Sequence, residues 1–374
     1  MVKKTITLGL ILFAHNHSSP VNWALDDLKF AKEAILENHT GAYNDLSPEF
    51  CSNLDLFFST AQEKLSNAQD DNTCKQILHD FGKSFNDAHL RITFPQQTPA
   101  ISTDTREPIK KRAPFSCDVA DDVCYVRIPT FFPNPEEAEH IKSIINAMET
   151  MRNSPYIVFD VRGNGGGSSM WGKQITDALF GAGYTHHKRA HALAQQYVEW
   201  RASESNIQYL CTDVRDIIHT DFGKESKVAE WLEHIISGMQ KAHNTGDMLY
   251  RDCSNTFNDV TDIAIHDSLC TSTIVVIMDS HCVSACLDFI DELKLMGTKV
   301  ILAGEKTMAD SLYMECRSIA LPSNKGSLVI PIKVYRNRPR GHNVPYTPDI
   351  ECTDNINNSM KLKAMMILKL QNQP

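Results

Sequence analysis

The sequence has 374 residues, 42% apolar and 22% charged, which is ordinary globular usage and excludes a disordered, collagen-like or coiled-coil chain. Asp and Glu number 46 against 37 Lys and Arg, and the net charge of −9 counts against nucleic acid as a partner. Such a length admits two or three domains, or one large core with a subdomain.

The chain starts with a short positive stretch, Met1-Val2-Lys3-Lys4, followed by an apolar run from Thr5 to Ala14. That run is too short to cross a bilayer as a helix and suits the core of a signal peptide. Residues 1–19 are therefore expected to be a leader cut between Ala14 and Ser19, which makes the protein exported, periplasmic or secreted. The competing reading is a buried first strand. No later segment reaches spanning length, so no membrane span is expected in the mature chain. Export would permit disulfides among the 11 cysteines. Cys117 with Cys124 across a hairpin, and Cys51 with Cys74 between helices, are the candidate pairings, although spacing does not fix connectivity. No CxxC pair is present, and neither a metal nor a cofactor is expected.

Residues 20–95 read as a helical cap. Trp23, Leu25, Leu28, Ala31, Ile35 and Leu36 recur at helical spacing up to Gly41. Ser47-Pro48 opens a second helix running to Asn67, and a third covers Asn72 to Phe85. His89 to Phe94 alternates as a strand, and residues 95–113 read as a loop. From residue 114 the pattern changes. Val123 to Ile128 is expected as a strand. Asn134-Pro135-Glu136-Glu137 opens a helix reaching Met151. Tyr156 to Val161, Ser272 to Met278 and Lys299 to Ala303 are apolar runs suited to strands covered on both faces. A helix from Ser284 to Met296 lies between the last two. Alternation of strands and helices implies an α/β core over 114–355. Leu312 to Leu321 and Leu328 to Tyr335 lack intervening helices, which predicts a mixed sheet. Residues 180–270 interrupt the core and read as a helical insertion, with helices over Ala190 to Glu204 and Ser226 to His243. Residues 356–374 read as a C-terminal helix.

Three short motifs can carry chemistry. Asp160-Val161-Arg162-Gly163-Asn164-Gly165-Gly166-Gly167 follows a buried strand and precedes a helix, a place where backbone N–H groups can hold an anion or an oxyanion. It is neither a dinucleotide fingerprint nor a P-loop. Asp279-Ser280-His281-Cys282-Val283-Ser284-Ala285-Cys286 also joins a strand to a helix, at the sheet end where open α/β sheets place their sites. Alone, Ser284 reads as a helix N-cap. Asp87-Ala88-His89 supplies a histidine that can act as a base for a serine.

In this order and spacing the motifs resemble the tail-specific (C-terminal processing) serine protease family. Gly304-Glu305-Lys306-Thr307 and the late Tyr346-Thr347-Pro348-Asp349-Ile350 extend the likeness, and Asp-Ala-His is similar to the histidine motif of the tricorn-like branch. The resemblance implies a ClpP/crotonase-like core and a polypeptide or peptide substrate. It makes Ser284 the nucleophile, His89 the base, and the N–H groups of Ala285 and of Gly165 or Gly166 the oxyanion hole. Two positions depart from the pattern. Asp310 stands where the processing peptidases carry their lysine, and Lys306 comes four residues too early. His342 stands where the tricorn-like branch carries a glutamate. Asp310 is the expected third group. The stretch between His89 and the first core strand leaves no room for a PDZ module. The resulting expectation is an exported serine peptidase acting on unfolded or extended chains. The alternatives are a non-catalytic ligand- or peptide-binding protein on the same fold, as in the family's retinoid-binding relatives, and a nucleotide-binding enzyme using the glycine turn.

Overall fold

The computed structural model describes residues 22–45, 47–95, 113–120, 123–193, 196–252 and 267–351. The expected leader and C-terminal helix lie outside these residues. Helix α1 (Asn22–Asn38) buries Ala24, Leu28, Ala31 and Ile35 along one stripe. A 3-10 turn, Thr40–Tyr43, follows. Helix α2 (Phe50–Ser66) starts later than Ser47-Pro48, with Glu49 at its N-cap position. Helix α3 (Asp71–Lys83) is capped by Asp70, whose carboxylate accepts the N–H groups of Asn72 and Thr73. Strand β1 (Arg91–Thr93) closes this unit.

Strands β2 (Ser116–Ala120) and β3 (Val123–Arg127) form an antiparallel hairpin. Helix α4 (Pro135–Met151) carries the expected capping box, with Asn134 and Glu137 each accepting the other's backbone N–H at 2.9 Å. Strand β4 (Tyr156–Asp160) and helix α5 (Ser169–Phe180) follow. The insertion then supplies α6 (Ala182–Leu193), β5 (Tyr197–Arg201), α7 (Glu204–Tyr209), α8 (Arg215–Asp221), α9 (Lys227–Thr245) and β6 (Leu249–Asp252). The core resumes with β7 (Thr273–Met278), α10 (Ala285–Leu295) and β8 (Val300–Gly304), and ends in β9 (Tyr313–Ala320), β10 (Ser327–Arg336) and β11 (Ile350–Glu351).

Among the described residues the strands make two sheets. The six-stranded one has the order β11-β8-β7-β4-β3-β2 and is parallel apart from β2. Its period-2 alternation divides the side chains. Val126, Phe159, Val276 and Leu302 pack in a core that also takes in residues of α4, α5 and α10, while Tyr125, Val158, Val275 and Ile301 form a smaller cluster. The α/β class expected from the sequence is the class found.

The late strands do not extend that sheet. They build a second, antiparallel one with the order β1-β10-β5-β6, and β9 pairs with β10 as well. The insertion is therefore not purely helical. Its expected helix over Ala190 to Glu204 is broken by β5, because Tyr197-Val198-Glu199-Trp200 finds a partner in β10 and buries Trp200 with Ile332 and Leu232. Cap helices α1–α3 pack on this sheet through Leu328 and Ile330.

Neither candidate disulfide is formed: none of Cys51, Cys74, Cys117 and Cys124 is bridged to another cysteine. In the hairpin Cys117 pairs with Val126 and Cys124 with Val119, which leaves the two cysteines diagonal rather than opposite. Among the described residues no group of His, Cys, Asp or Glu is arranged to hold a metal, and no helix is long and apolar enough to cross a membrane.

Candidate active site

Ser284 sits between β7 and α10 with φ 58° and ψ −128°. This is a left-handed, strained conformation for a residue with a side chain, costing on the order of 1 to 3 kcal/mol. It occupies the N-cap position of α10, as read from the sequence, but its hydroxyl makes no capping hydrogen bond. The residue stands, half-buried, on a sharp strand-to-helix turn between β7 and α10. Neighbouring bonds hold it there. Cys286 and Leu287 donate to the carbonyls of Val283 and Ser284. The Cys282 thiol donates to the Val161 carbonyl at 3.1 Å, and the Met308 N–H donates to the Cys282 carbonyl at 3.1 Å.

The glycine turn lies directly against this serine. A Cβ on Gly166 would stand 2.8 Å from Ser284 Cβ and 3.0 Å from the Ala285 nitrogen. The Asp279 carboxylate accepts the Gly163 N–H at 3.0 Å and so ties the two loops together. Val283 donates to the Asn164 carbonyl at 3.4 Å. Asn164 is fully buried; its side chain donates to the Ile128 carbonyl at 3.1 Å and accepts the Gly166 N–H at 2.9 Å. The Gly166 N–H, one of the expected oxyanion donors, is therefore engaged by a side chain of its own turn. Among the described residues the N–H groups of Gly165 and Ala285 donate to no protein acceptor, and the side of Gly165 where a Cβ would stand is open. At the base of the turn Asp160 is held by Tyr125, Arg127 and Arg162. Burial would raise its carboxyl, but these partners outweigh burial and hold it below the usual range.

His89 comes from the other sheet, in the turn before β1. Asp87 shapes that turn, accepting the His89 backbone N–H at 2.9 Å on Oδ1. The same oxygen lies 3.6 Å from His89 Nδ1 and accepts the Ser311 hydroxyl at 2.9 Å. Across the carboxylate, His39 Nε2 is 3.9 Å from Oδ2. Asp87 is 7% exposed. Burial would raise its pKa, yet the two imidazoles more than offset this and keep the carboxyl far below its ordinary value.

The expected third group, Asp310, is elsewhere engaged. It is fully buried, contacts Arg340 Nη1 and lies 3.3 Å from Arg338 Nη2. Arg340 also reaches Asp288 at 3.2 Å and Asp291 at 3.0 Å. Both its neighbours are arginines, and the carboxylate beside His89 is Asp87. Lys306 is exposed. His342 accepts the Leu312 N–H through Nδ1 at 3.2 Å. The Pro-Asp motif docks on β8, with Asp349 accepting the Leu302 N–H at 2.8 Å.

Among the described residues no hydrogen bond joins Ser284 to His89. One segment nevertheless touches both turns. Met308 bonds the carbonyl of Cys282, and Ser311 bonds Asp87. Three residues reach about 11 Å at most, which bounds the span between those two anchors along the chain. Asp288, one turn beyond Ser284 on α10, is raised to about 6 by burial and by the charges of Asp291 and Asp310.

The sequence signalled Ser284, His89 and the glycines. It gave no sign of His39, and Asp87 stood within a quoted motif without a role of its own.

The family model of Peptidase family S41 matches residues 122–352. No curated protein matches the sequence. Among solved structures, mature CPAF is similar with a TM-score of 0.56 at 12% identity, covering 89% of this chain and 93% of that one. Mature CPAF complexed with lactacystin gives 0.55 at 12%, covering 89% and 94%. A lipoprotein from Streptococcus agalactiae gives 0.46 at 10%, covering 93% and 96%. The CPAF likeness shows a shared fold.

Proposed function

The chain belongs to peptidase family S41, and from that premise we propose that it is an exported serine peptidase working through Ser284 and His89 on unfolded or extended polypeptides. The observation that carries the reading is the strained φ of Ser284, which the chain maintains although the hydroxyl caps nothing. Strain of that kind is retained where the surroundings over-determine it, and it clusters at active sites.

In the proposed step His89 Nε2 takes the Ser284 proton as Oγ attacks the scissile carbonyl, then returns it to the leaving amine. Asp87 is the positioning residue: its Oδ1 faces His89 Nδ1, which favours the tautomer whose Nε2 accepts a proton. The oxyanion rests on the N–H groups of Ala285 and Gly165, the two left without a protein acceptor. One such donor is worth about 3 to 4 kcal/mol in the transition state. Export rests on the apolar Thr5 to Ala14 run behind a lysine pair.

The test is labelling of purified protein with a fluorophosphonate, followed by cleavage of unfolded protein substrates. Wild type should label and cleave, whereas Ser284→Ala and His89→Ala should do neither. A wild type silent in both assays from mild acid to neutral pH overturns the reading and favours ligand binding on the same fold.

A further inference from the structure

We infer that His39, on the far side of Asp87 from His89, is a second positioning residue for the base. The inference rests on the reading of His89 as the base of Ser284. His39 follows α1 and is fully buried. Its ring stacks on Phe50 with centroids 4.6 Å apart and meets Tyr313 at 4.7 Å. Its tautomer is fixed locally. Nδ1 accepts the Gly41 N–H at 2.8 Å, so this nitrogen carries no proton and the ring proton sits on Nε2. Nε2 faces Asp87 Oδ2 at 3.9 Å. Burial lowers the His39 pKa, and Asp87 only partly opposes this, so the ring is neutral at neutral pH.

One carboxylate thus lies between two imidazoles, with His89 on Oδ1 and His39 on Oδ2. At 3.9 Å the His39 Nε2–H approaches Asp87 Oδ2 without a hydrogen bond, and among the described residues neither atom has another partner. His39 therefore acts on the carboxylate through the field of an N–H dipole that stays in place whatever the charge on His89. The other ionisable groups facing this cluster are Glu49, Tyr313 and His342, which line the cavity beside it, and Cys316, whose thiol lies 3.8 Å from the His89 carbonyl.

Two polar substitutions separate this role from a purely structural one. Asn places an oxygen near the Nδ1 position and can keep the Gly41 bond. Gln places an N–H near the Nε2 position and can keep the contact to Asp87. His39→Asn should lower kcat at least tenfold with little change in KM. It should also move the acid limb of the kcat/KM profile to higher pH, because a carboxylate that no longer faces the His39 N–H dipole holds the His89 proton more tightly. His39→Gln should restore most of kcat and the wild-type limb. Full activity in His39→Asn with loss in His39→Gln, or wild-type profiles in both, overturns the inference. A second measurement needs no variant. Nitrogen NMR of wild type should show His39 protonated on Nε2 alone at about pH 7 to 8. A His39 that is doubly protonated there, or carries its proton on Nδ1, overturns the inference. Absence of fluorophosphonate labelling in wild type would instead overturn the Ser284–His89 reading, while the NMR result would still decide the His39 tautomer.

Discussion

A methyl group added to Gly166 would stand 2.8 Å from the Cβ of Ser284 and 2.8 Å from the Val283 carbonyl oxygen, at a φ of 90°. Gly166→Ala combines a steric clash against backbone with a conformation that L residues rarely adopt. It should destabilise the protein by about 1 to 3 kcal/mol and abolish labelling of Ser284 even in the folded fraction. Thermal melts and fluorophosphonate labelling of the same sample check both. An alanine variant that labels at the wild-type rate would show that the two loops are not packed as described.

Ser284 itself lends a comparison that separates strain from chemistry. Ser284→Gly and Ser284→Ala should both be inactive, but only glycine relieves a φ of 58°. The glycine variant should therefore exceed the alanine variant in stability by about 1 kcal/mol, the reverse of their order in an ordinary helix. Urea unfolding of the two proteins checks it, and equal midpoints would remove the argument from strain.

Asp87 and Asp310 are expected to fail differently. Asp87→Asn should leave a folded protein whose kcat falls by about 10² to 10⁴, since an amide presents an N–H where His89 needs an acceptor. Asp310→Ala leaves Arg338 and Arg340 buried without their shared carboxylate. It should cost about 3 to 5 kcal/mol of stability, as removal of one partner from a buried ion pair does. Kinetics and chemical denaturation on both variants check the contrast. A stable Asp310→Ala protein with a lost kcat would return Asp310 to the site.

Asp288 makes the fold pH-dependent near neutrality. Its pKa of about 6 in the folded protein lies above the unfolded value, about 3.9. The folded chain therefore holds this proton more tightly, and the contribution is full below about pH 4 and lost as pH rises through 6. Relative to wild type, Asp288→Asn should gain on the order of 2 kcal/mol between pH 4 and pH 8. Asp87, depressed, works in the opposite sense. It contributes stability above its unfolded value, lost as pH falls through the folded one. Denaturant midpoints across pH 4 to 8 for wild type and Asp288→Asn check the first; a constant difference between them contradicts it.

The parts of the fold legible in the sequence are those fixed by near neighbours. The capping box of Asn134 and Glu137 and the apolar runs of β4 and β7 appear where their residues place them. Strand β5 was hidden because Tyr197 to Arg201 gains its register from β10, far along the chain, and the surrounding alanines and glutamates favour helix. The same limit applies to the candidate site. Ser284, Gly165 and Gly166 belong to local turns with their own sequence marks. Which carboxylate meets His89 depends instead on how two sheets and a loop come together, and motif spacing pointed to Asp310 where the arginines of residues 338–340 already claim it. Buried His39 lies at a helix end and carries no mark in the sequence at all.

Strand β10 sets an order in time. Near its start it pairs with β1, which follows the His89 turn, and near its end with β5 of the insertion. Both contacts must wait until the ribosome has delivered residues 327–336. Until then the turn bearing His89 lacks the strand that docks it, although the segment bearing Ser284 has already been made. On the Ser284–His89 reading, a chain truncated before β10 would carry the serine without a docked histidine turn.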